Sequence, residues 1–236
     1  MRELILIQGA MDVETEWLTA QLEAPEEIVL GGFSFRRGRC RGRELVVSPT
    51  GVGMVRTAAA TALGLQRFAP ALVVNQGIAG AHREDLRVGD IVVGRTCVSI
   101  HHVQTPPRGG GEGMAPQSWA LWDFAQEAPP VPWQADPGWA ARFEAAPYAG
   151  GRKLSGRLGS GDVFNRENDR IAWLRARAGE DCEDMESGAS CQICRSFGTP
   201  WIGLRIISNN ELTGEPYRRE VGELLQRFVL AVLTDQ

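Results

Sequence analysis

Short apolar runs that end at glycine turns, each followed by a helical stretch, constrain the fold of this chain more than any other feature. Residues 3–7 form the first run, and helical spacing follows over residues 11–21. Residues 71–75 and 201–207 form later runs, and residues 220–233 have the apolar spacing of an amphipathic closing helix. Strands that alternate with helices predict an α/β fold, with a single domain in which helices flank a central mixed β-sheet.

The intervening segments continue the same pattern. Glycine turns separate three strand-like stretches between residues 28 and 48, which predicts a meander at one edge of the sheet. The remaining predicted elements are strands at residues 88–93 and 156–160, and helices at residues 55–68, 168–178 and 184–197.

Residues 104–149 depart from this pattern. They hold most of the thirteen prolines and four of the seven tryptophans, together with three consecutive glycines. Long irregular segments in compact domains are usually functional or mobile. We therefore predict an irregular excursion that serves as a lid or an interface, with one short helix near residues 118–126.

Charge and composition exclude several classes of protein. The net charge is −4 and the arginines are scattered, so the chain lacks the basic clusters expected of a nucleic-acid-binding protein. No apolar run approaches the roughly 20 residues of a membrane-spanning helix, and the first run is too short for a signal peptide. We expect a cytoplasmic protein that binds neither nucleic acid nor membrane.

The five cysteines are odd in number and sparse, which favours reduced thiols. Cys191-Gln-Ile-Cys194 has the CxxC spacing of zinc and redox sites, but no second CxxC or histidine pair completes four zinc ligands. Two cysteines on a partly buried helix are the better interpretation. A CxxC redox or zinc protein is the alternative.

Polar and glycine-rich segments follow the apolar runs, at the strand ends where α/β proteins bind ligands. Each segment alone is explained by a turn or a helix cap, and none has the spacing of a dinucleotide site or a P-loop. The segments are Gly9-Ala-Met-Asp-Val-Glu14, Thr50-Gly-Val-Gly53, Asn75-Gln-Gly-Ile-Ala-Gly80, Ser160-Gly-Asp-Val-Phe-Asn165, Asp184-Met-Glu186 and Arg205-Ile-Ile-Ser-Asn-Asn210.

Together and in this order, the segments resemble those of the purine nucleoside phosphorylase and nucleosidase superfamily, and within it the methylthioadenosine/S-adenosylhomocysteine nucleosidases. The resemblance covers most of the chain except residues 104–149. It implies a nucleoside phosphorylase-like fold, a homodimer, and a small-molecule purine nucleoside as substrate. The implied reaction is hydrolysis of the N-glycosidic bond of 5′-modified adenosines to free base and sugar, which requires neither a metal nor an organic cofactor.

The resemblance also implies roles for residues around the sugar. Glu14 would act as the general base on water, with Arg205 beside it to keep the carboxylate charged and oriented. Glu186 would accept hydrogen bonds from the two ribose hydroxyls. Met185 would pack under the ribose, and Val52 would line the sugar pocket.

At the base, the resemblance implies that Phe164 stacks on the purine and that the Asn165 backbone reads its edge. Ser208 and Asn209 belong to the base-binding turn, and Asn209 stands where adenine-cleaving relatives have aspartate. Ile78 stands where the family usually has serine. Candidate apolar residues for the pocket of the 5′ substituent are Met114, Trp119 and Trp122.

Water is the expected nucleophile rather than phosphate. Phosphorylases of the hexameric branch place arginines around an early turn, where they bind the phosphate dianion. In this chain Glu14 follows the early turn closely, and a carboxylate there would repel an anion. A purine nucleoside phosphorylase remains an alternative.

Asn209 leaves the identity of the base open. An amide cannot give a proton to N7 as a carboxylic acid can, whereas its hydrogen-bonding groups suit the N7 and O6 of a 6-oxopurine. A 6-oxopurine nucleosidase of the futalosine or inosine type is therefore an alternative, with Glu211 as a second candidate for the acid. A noncatalytic nucleoside-binding protein is a further alternative, although it would not need a base at Glu14.

Overall fold

The computed structural model describes residues 4–235, so residue 3 of the first predicted strand lies outside the described part. The described residues form twelve strands and six α-helices. The strands are β1 (Ile5–Gly9), β2 (Glu23–Leu30), β3 (Phe33–Cys40), β4 (Arg43–Pro49), β5 (Leu72–Ala81), β6 (Ile91–Ser99), β7 (Val103–Gln104), β8 (Ala120–Leu121), β9 (Trp133–Gln134), β10 (Lys153–Ser160), β11 (Cys182–Asp184) and β12 (Trp201–Asn209). The helices are α1 (Glu16–Ala20), α2 (Met54–Phe68), α3 (Pro137–Ala145), α4 (Asn168–Ala178), α5 (Ser187–Phe197) and α6 (Val221–Thr234).

One large sheet organises the fold. Its order is β11-β10-β6-β12-β5-β1-β4-β3-β2, and β9 pairs with β6. The sheet is mixed, because β12 is parallel to β5 and antiparallel to β6. The short strand β11 pairs with β10 on one side and with β5 on the other, so β5, β12, β6, β10 and β11 close into a ring. The predicted α/β class with a mixed sheet is confirmed, as is the predicted edge meander, formed by β2, β3 and β4.

The core lies where the strands are buried on both faces. Every residue of β1 and of β12 is buried, which is why both segments are nearly continuous apolar runs instead of alternating ones. Helix α6 packs on β5 and β12, and helix α5 packs on β6, β10 and β12. The parallel strands β1, β5 and β12 end at the same edge of the sheet, which brings the segments that follow them together.

Two sequence-based predictions are wrong. Residues 118–126 do not form a helix; the helix of that region is α3, which begins later. Pro137 occupies its first position and Asp136 caps it, accepting a hydrogen bond from the Trp139 amide at 2.9 Å. The predicted turn at Asn75–Gly80 is also absent, because pairing with β12 and β11 keeps β5 extended to Ala81.

Among the helices of the described part, none combines the length and the apolar character that a membrane crossing requires.

Candidate active site

A cavity of about 290 Å³ opens at the edge of the sheet where β1, β5 and β12 end. It brings together eight of the ten predicted site residues, drawn from six separate segments of the chain. They are Glu14, Val52, Ile78, Phe164, Met185, Glu186, Ser208 and Asn209. Arg205 and Asn165 are not among the lining residues.

Glu14 is held by backbone amides at one end of the cavity. It lies on a single 3₁₀ turn after β1 and is only 3% exposed. Its Oε2 accepts hydrogen bonds from the amides of Ala10 at 2.6 Å and Met11 at 2.9 Å, and its Oε1 accepts one from Ile78 at 2.8 Å. Burial raises the pKa of Glu14, and these amides oppose the rise.

The close approach of Glu14 to β5 depends on a glycine. A Cβ atom at Gly77 would lie 2.5 Å from Glu14 Oε1, which is inside van der Waals contact. Gly77 therefore gives the carboxylate room to reach the Ile78 amide.

Glu186 is the second carboxylate of the cavity. Its Oε1 accepts a hydrogen bond from the Gly53 amide at 3.0 Å, so the glycine turn after β4 holds it in place. Burial raises the pKa of Glu186 to about 8, with the negative charges of Asp184 and Glu14 adding to the effect. Glu14 and Glu186 thus share one cavity, which is the arrangement that binding of a single pentose between them requires.

Arg205 does not contact Glu14, contrary to the sequence-based expectation. Its Nε lies 3.1 Å from Asp184 Oδ2, and both side chains are almost completely buried. Its other nitrogens donate to the carbonyl oxygens of Asn75 and Leu204 and to the Asn75 side chain. Arg205 therefore acts on Glu14 through space, as a buried positive charge that lowers its pKa.

Asp184 was missed by sequence reasoning. It ends β11 and its Oδ1 accepts hydrogen bonds from the amides of Glu186 and Ser187, both at 2.8 Å, and from Ser160. Asp184 therefore joins the start of α5 to Arg205. An aspartate directly before a helical run is a typical capping signal, and it could have indicated this position.

The turn with Ser208 and Asn209 forms the other end of the cavity. Ser208 donates to Asn209 Oδ1 at 2.9 Å, and Asn209 Nδ2 donates to Glu211 at 3.3 Å. Glu211 lies in a neighbouring recess, where Arg166 Nε is 3.4 Å from its carboxylate. Tyr217, which the sequence did not single out, borders both spaces.

The backbone amide of Asn165, expected to read the base edge, binds a side chain of the protein in this structure. Its amide donates to Glu183 Oε1 at 2.8 Å, and its side-chain amide donates to Glu183 Oε2. Glu183 itself lines the cavity and is 4% exposed. Sequence reasoning did not select Glu183, because an acidic residue within a short buried strand gives no local signal.

A buried histidine lies behind Glu183. His82 Nδ1 is 2.8 Å from Glu180 and His82 Nε2 is 3.3 Å from Glu183. Burial alone would lower the pKa of His82, but its two carboxylate partners outweigh burial and raise it to about 9.

The candidate residues for the 5′ pocket lie elsewhere. Met114, Trp119 and Trp122 do not line the cavity, and Met114 is 82% exposed. The cavity wall nearest to solvent is formed instead by Val52, Val163 and Phe164, each about half exposed.

Cys191 and Cys194 are both fully buried on α5. Burial raises the pKa of Cys191 to about 12 and that of Cys194 further still, which makes both poor nucleophiles. In residues 4–235 no group of three or more His, Cys, Asp or Glu side chains could hold a metal ion.

Comparison with known proteins identifies the family. Residues 4–233 match the model of the phosphorylase superfamily. The 5′-methylthioadenosine/S-adenosylhomocysteine nucleosidase of Geobacillus thermodenitrificans is 32% identical, over 97% of this chain and 95% of the relative. The enzyme of the same name from Geobacillus kaustophilus is 34% identical, over 94% of this chain and 88% of the relative.

Solved structures agree in fold. The Neisseria meningitidis nucleosidase of that name, in complex with methylthio-immucillin-A, superposes with a TM-score of 0.83 at 24% identity, covering 98% of this chain and 99% of that one. Futalosine hydrolase of Helicobacter pylori superposes with a TM-score of 0.80 at 22% identity, covering 99% and 98%. The chain belongs to the phosphorylase superfamily and, within it, to the family of the 5′-methylthioadenosine/S-adenosylhomocysteine nucleosidases.

Proposed function

We propose that the protein hydrolyses the N-glycosidic bond of 5′-modified adenosines, namely methylthioadenosine and S-adenosylhomocysteine, to adenine and the free sugar. The observation that carries this proposal is the placement of Glu14 and Glu186 in one cavity, each fixed by backbone amides. The relatives that match almost the whole chain bear the name of this activity.

Glu14 is suited to deprotonate water. Glycosidic cleavage passes through an oxocarbenium-like sugar, which a water molecule captures at the anomeric carbon. Three amides hold the carboxylate, while burial raises its affinity for a proton. Both properties favour a general base that takes one proton from the attacking water.

Glu186 is suited to hold the sugar. A carboxylate is an acceptor with two oxygens, which matches the two adjacent hydroxyl donors of a ribose. The Gly53 amide fixes this carboxylate, and Met185 and Val52 supply the apolar surface of the same cavity. In its ionised form this carboxylate would also stabilise the positive charge that develops on the ring.

The departing base lies at the end of the cavity formed by Asn209 and Phe164. Phe164 offers a ring for stacking, and the Asn209 amide can donate a hydrogen bond to N7. In this proposal N7 is stabilised by that hydrogen bond and receives its proton from solvent, since an amide does not release one.

Charge favours water over phosphate as the nucleophile. Of the described residues that line the cavity, none is arginine, lysine or histidine, whereas Glu14, Glu183, Asp184 and Glu186 are acidic. A phosphate dianion would meet these carboxylates, whereas the cation beside them, Arg205, is buried and already paired with Asp184.

The proposed assembly is a homodimer in the cytoplasm. Val52, Val163 and Phe164 line the cavity and are about half exposed, and a second copy would cover them. Sedimentation of the purified protein tests this assembly, and a monomer at micromolar concentration would contradict it.

The activity is tested with methylthioadenosine and S-adenosylhomocysteine in phosphate-free buffer, following adenine by chromatography. We expect release of one adenine and one free sugar per substrate. Turnover that requires added phosphate would establish a phosphorylase instead, and binding without turnover would establish a nucleoside-binding protein.

A further inference from the structure

We infer that Glu183 reads the base and that it opens the cavity to 6-oxopurine nucleosides as well as to adenosines. This inference rests on the proposed function, since it concerns the base that is released from the same site. It adds a second class of substrate and a residue that determines specificity.

The position of Glu183 supports this role. Its Cγ and the amide of Asn209 both come within 3.6–3.8 Å of the point where a Cβ atom of Gly80 would lie, so the two side chains face the same small space. A base stacked on Phe164 with N7 at Asn209 would therefore bring its neighbouring edge, with position 6 and N1, to Glu183.

The hydrogen bonds of Glu183 make it an acceptor. The backbone and side-chain amides of Asn165 donate to its two oxygens, and His82 Nε2 lies 3.3 Å from Oε2. The two hydrogen bonds use two of about four lone-pair sites of a carboxylate, so acceptor sites remain for a ligand. His82, with its raised pKa of about 9, keeps a positive charge behind this carboxylate at neutral pH.

An acceptor at this place distinguishes the two kinds of purine. In a 6-oxopurine N1 carries a hydrogen and can donate to Glu183, whereas in adenine N1 is itself an acceptor. The Asn165 amide, which could otherwise serve adenine N1, already donates to Glu183 at 2.8 Å. Asn209 Nδ2 donates one of its two hydrogens to Glu211, so the other is available to N7 or O6 of a 6-oxopurine.

The test compares 5′-methylthioinosine with 5′-methylthioadenosine. They differ only in the group at position 6 of the purine and, as a result, in whether N1 carries a hydrogen. We expect the native protein to hydrolyse both. In Glu183→Gln, the added donor should favour adenine, and the ratio of kcat/KM for the inosine over the adenosine should fall about 10- to 100-fold, the usual range for a hydrogen bond to a charged group.

Glu180→Gln is the matched control. Glu180 contacts the same histidine from the other side but does not line the cavity, so the ratio should stay within about twofold. Equal changes of the ratio in both variants would show an indirect effect on packing and overturn the inference.

Two further outcomes separate the inference from the proposed function. Hydrolysis of methylthioadenosine without hydrolysis of methylthioinosine overturns the inference and leaves the function intact. If neither is cleaved, the function fails, and calorimetry with the free bases decides the inference: hypoxanthine should bind the native protein and should bind Glu183→Gln at least 10-fold more weakly. Equal hypoxanthine affinity in the two proteins would overturn it.

Discussion

The two ends of the cavity are built differently. At the sugar end, Glu14 and Glu186 are fixed by backbone amides of neighbouring turns, and each of these residues stands in a motif that resembles the family. At the base end, contacts between side chains are added: Asn209 contacts Ser208, and Glu183 contacts the Asn165 side chain as well as its backbone amide. Backbone contacts hold the groups that any substrate of this reaction needs, whereas side-chain contacts can change with the base.

The largest expected effect lies at the sugar end. Glu14→Gln keeps the shape of the side chain but removes the base, so kcat should fall about 10²- to 10⁴-fold. Steady-state adenine release measures this change, and binding of adenine should persist as the control for folding. A kcat within threefold of the native value would remove Glu14 from the reaction.

The second-largest effect is expected on stability, from the buried ion pair of Asp184 and Arg205. Asp184→Asn leaves Arg205 buried without its counterion, which should lower the free energy of unfolding by about 3–5 kcal/mol. Glu144→Gln, which breaks an exposed pair with Arg95, is the matched control and should change stability much less. Denaturant unfolding measures the free energy of unfolding of both variants. Equal losses would contradict the claim that burial makes the Asp184–Arg205 pair matter more than the exposed pair.

A smaller effect is expected from pH. Because the pKa of Glu186 is raised from 4.5 to about 8 in the folded protein, its contribution to stability is fully present below pH 4.5 and is lost as the pH rises through 8. The melting temperature of the free protein should therefore fall more steeply between pH 5 and pH 8 in the native chain than in Glu186→Gln. Equal changes of melting temperature with pH in the two proteins would show that burial of the Glu186 carboxylate does not lower stability as the pH rises.

The smallest effect is expected at the cysteines, which do not line the cavity. All five cysteines are unpaired and buried, so a thiol reagent should label the folded protein slowly and leave turnover unchanged, while all five react after denaturation. Rapid, selective labelling of Cys191 or Cys194 would instead support the alternative of a CxxC redox protein.

The same contrast explains how much could be predicted from sequence. Glycine turns and apolar runs have local patterns, so the mixed sheet could be predicted before any coordinates, and the family resemblance implied that Glu14 and Glu186 share one site. The partner of Arg205 could not, because Arg205 and Asp184 meet only through the closure of distant strands. Glu183 was missed for the same reason, since its contacts with His82 and Asn165 join three separate parts of the chain.

Strand β11 has a consequence for insertions and deletions. Glu183 and Asp184 are consecutive on this three-residue strand, where neighbouring side chains point in opposite directions. A single residue gained or lost in the turn at residues 179–181 would shift the register by one and turn each carboxylate to the opposite face of the strand. The length of this turn is therefore under tighter constraint than its composition, and natural variants should differ there by substitution and keep the same number of residues.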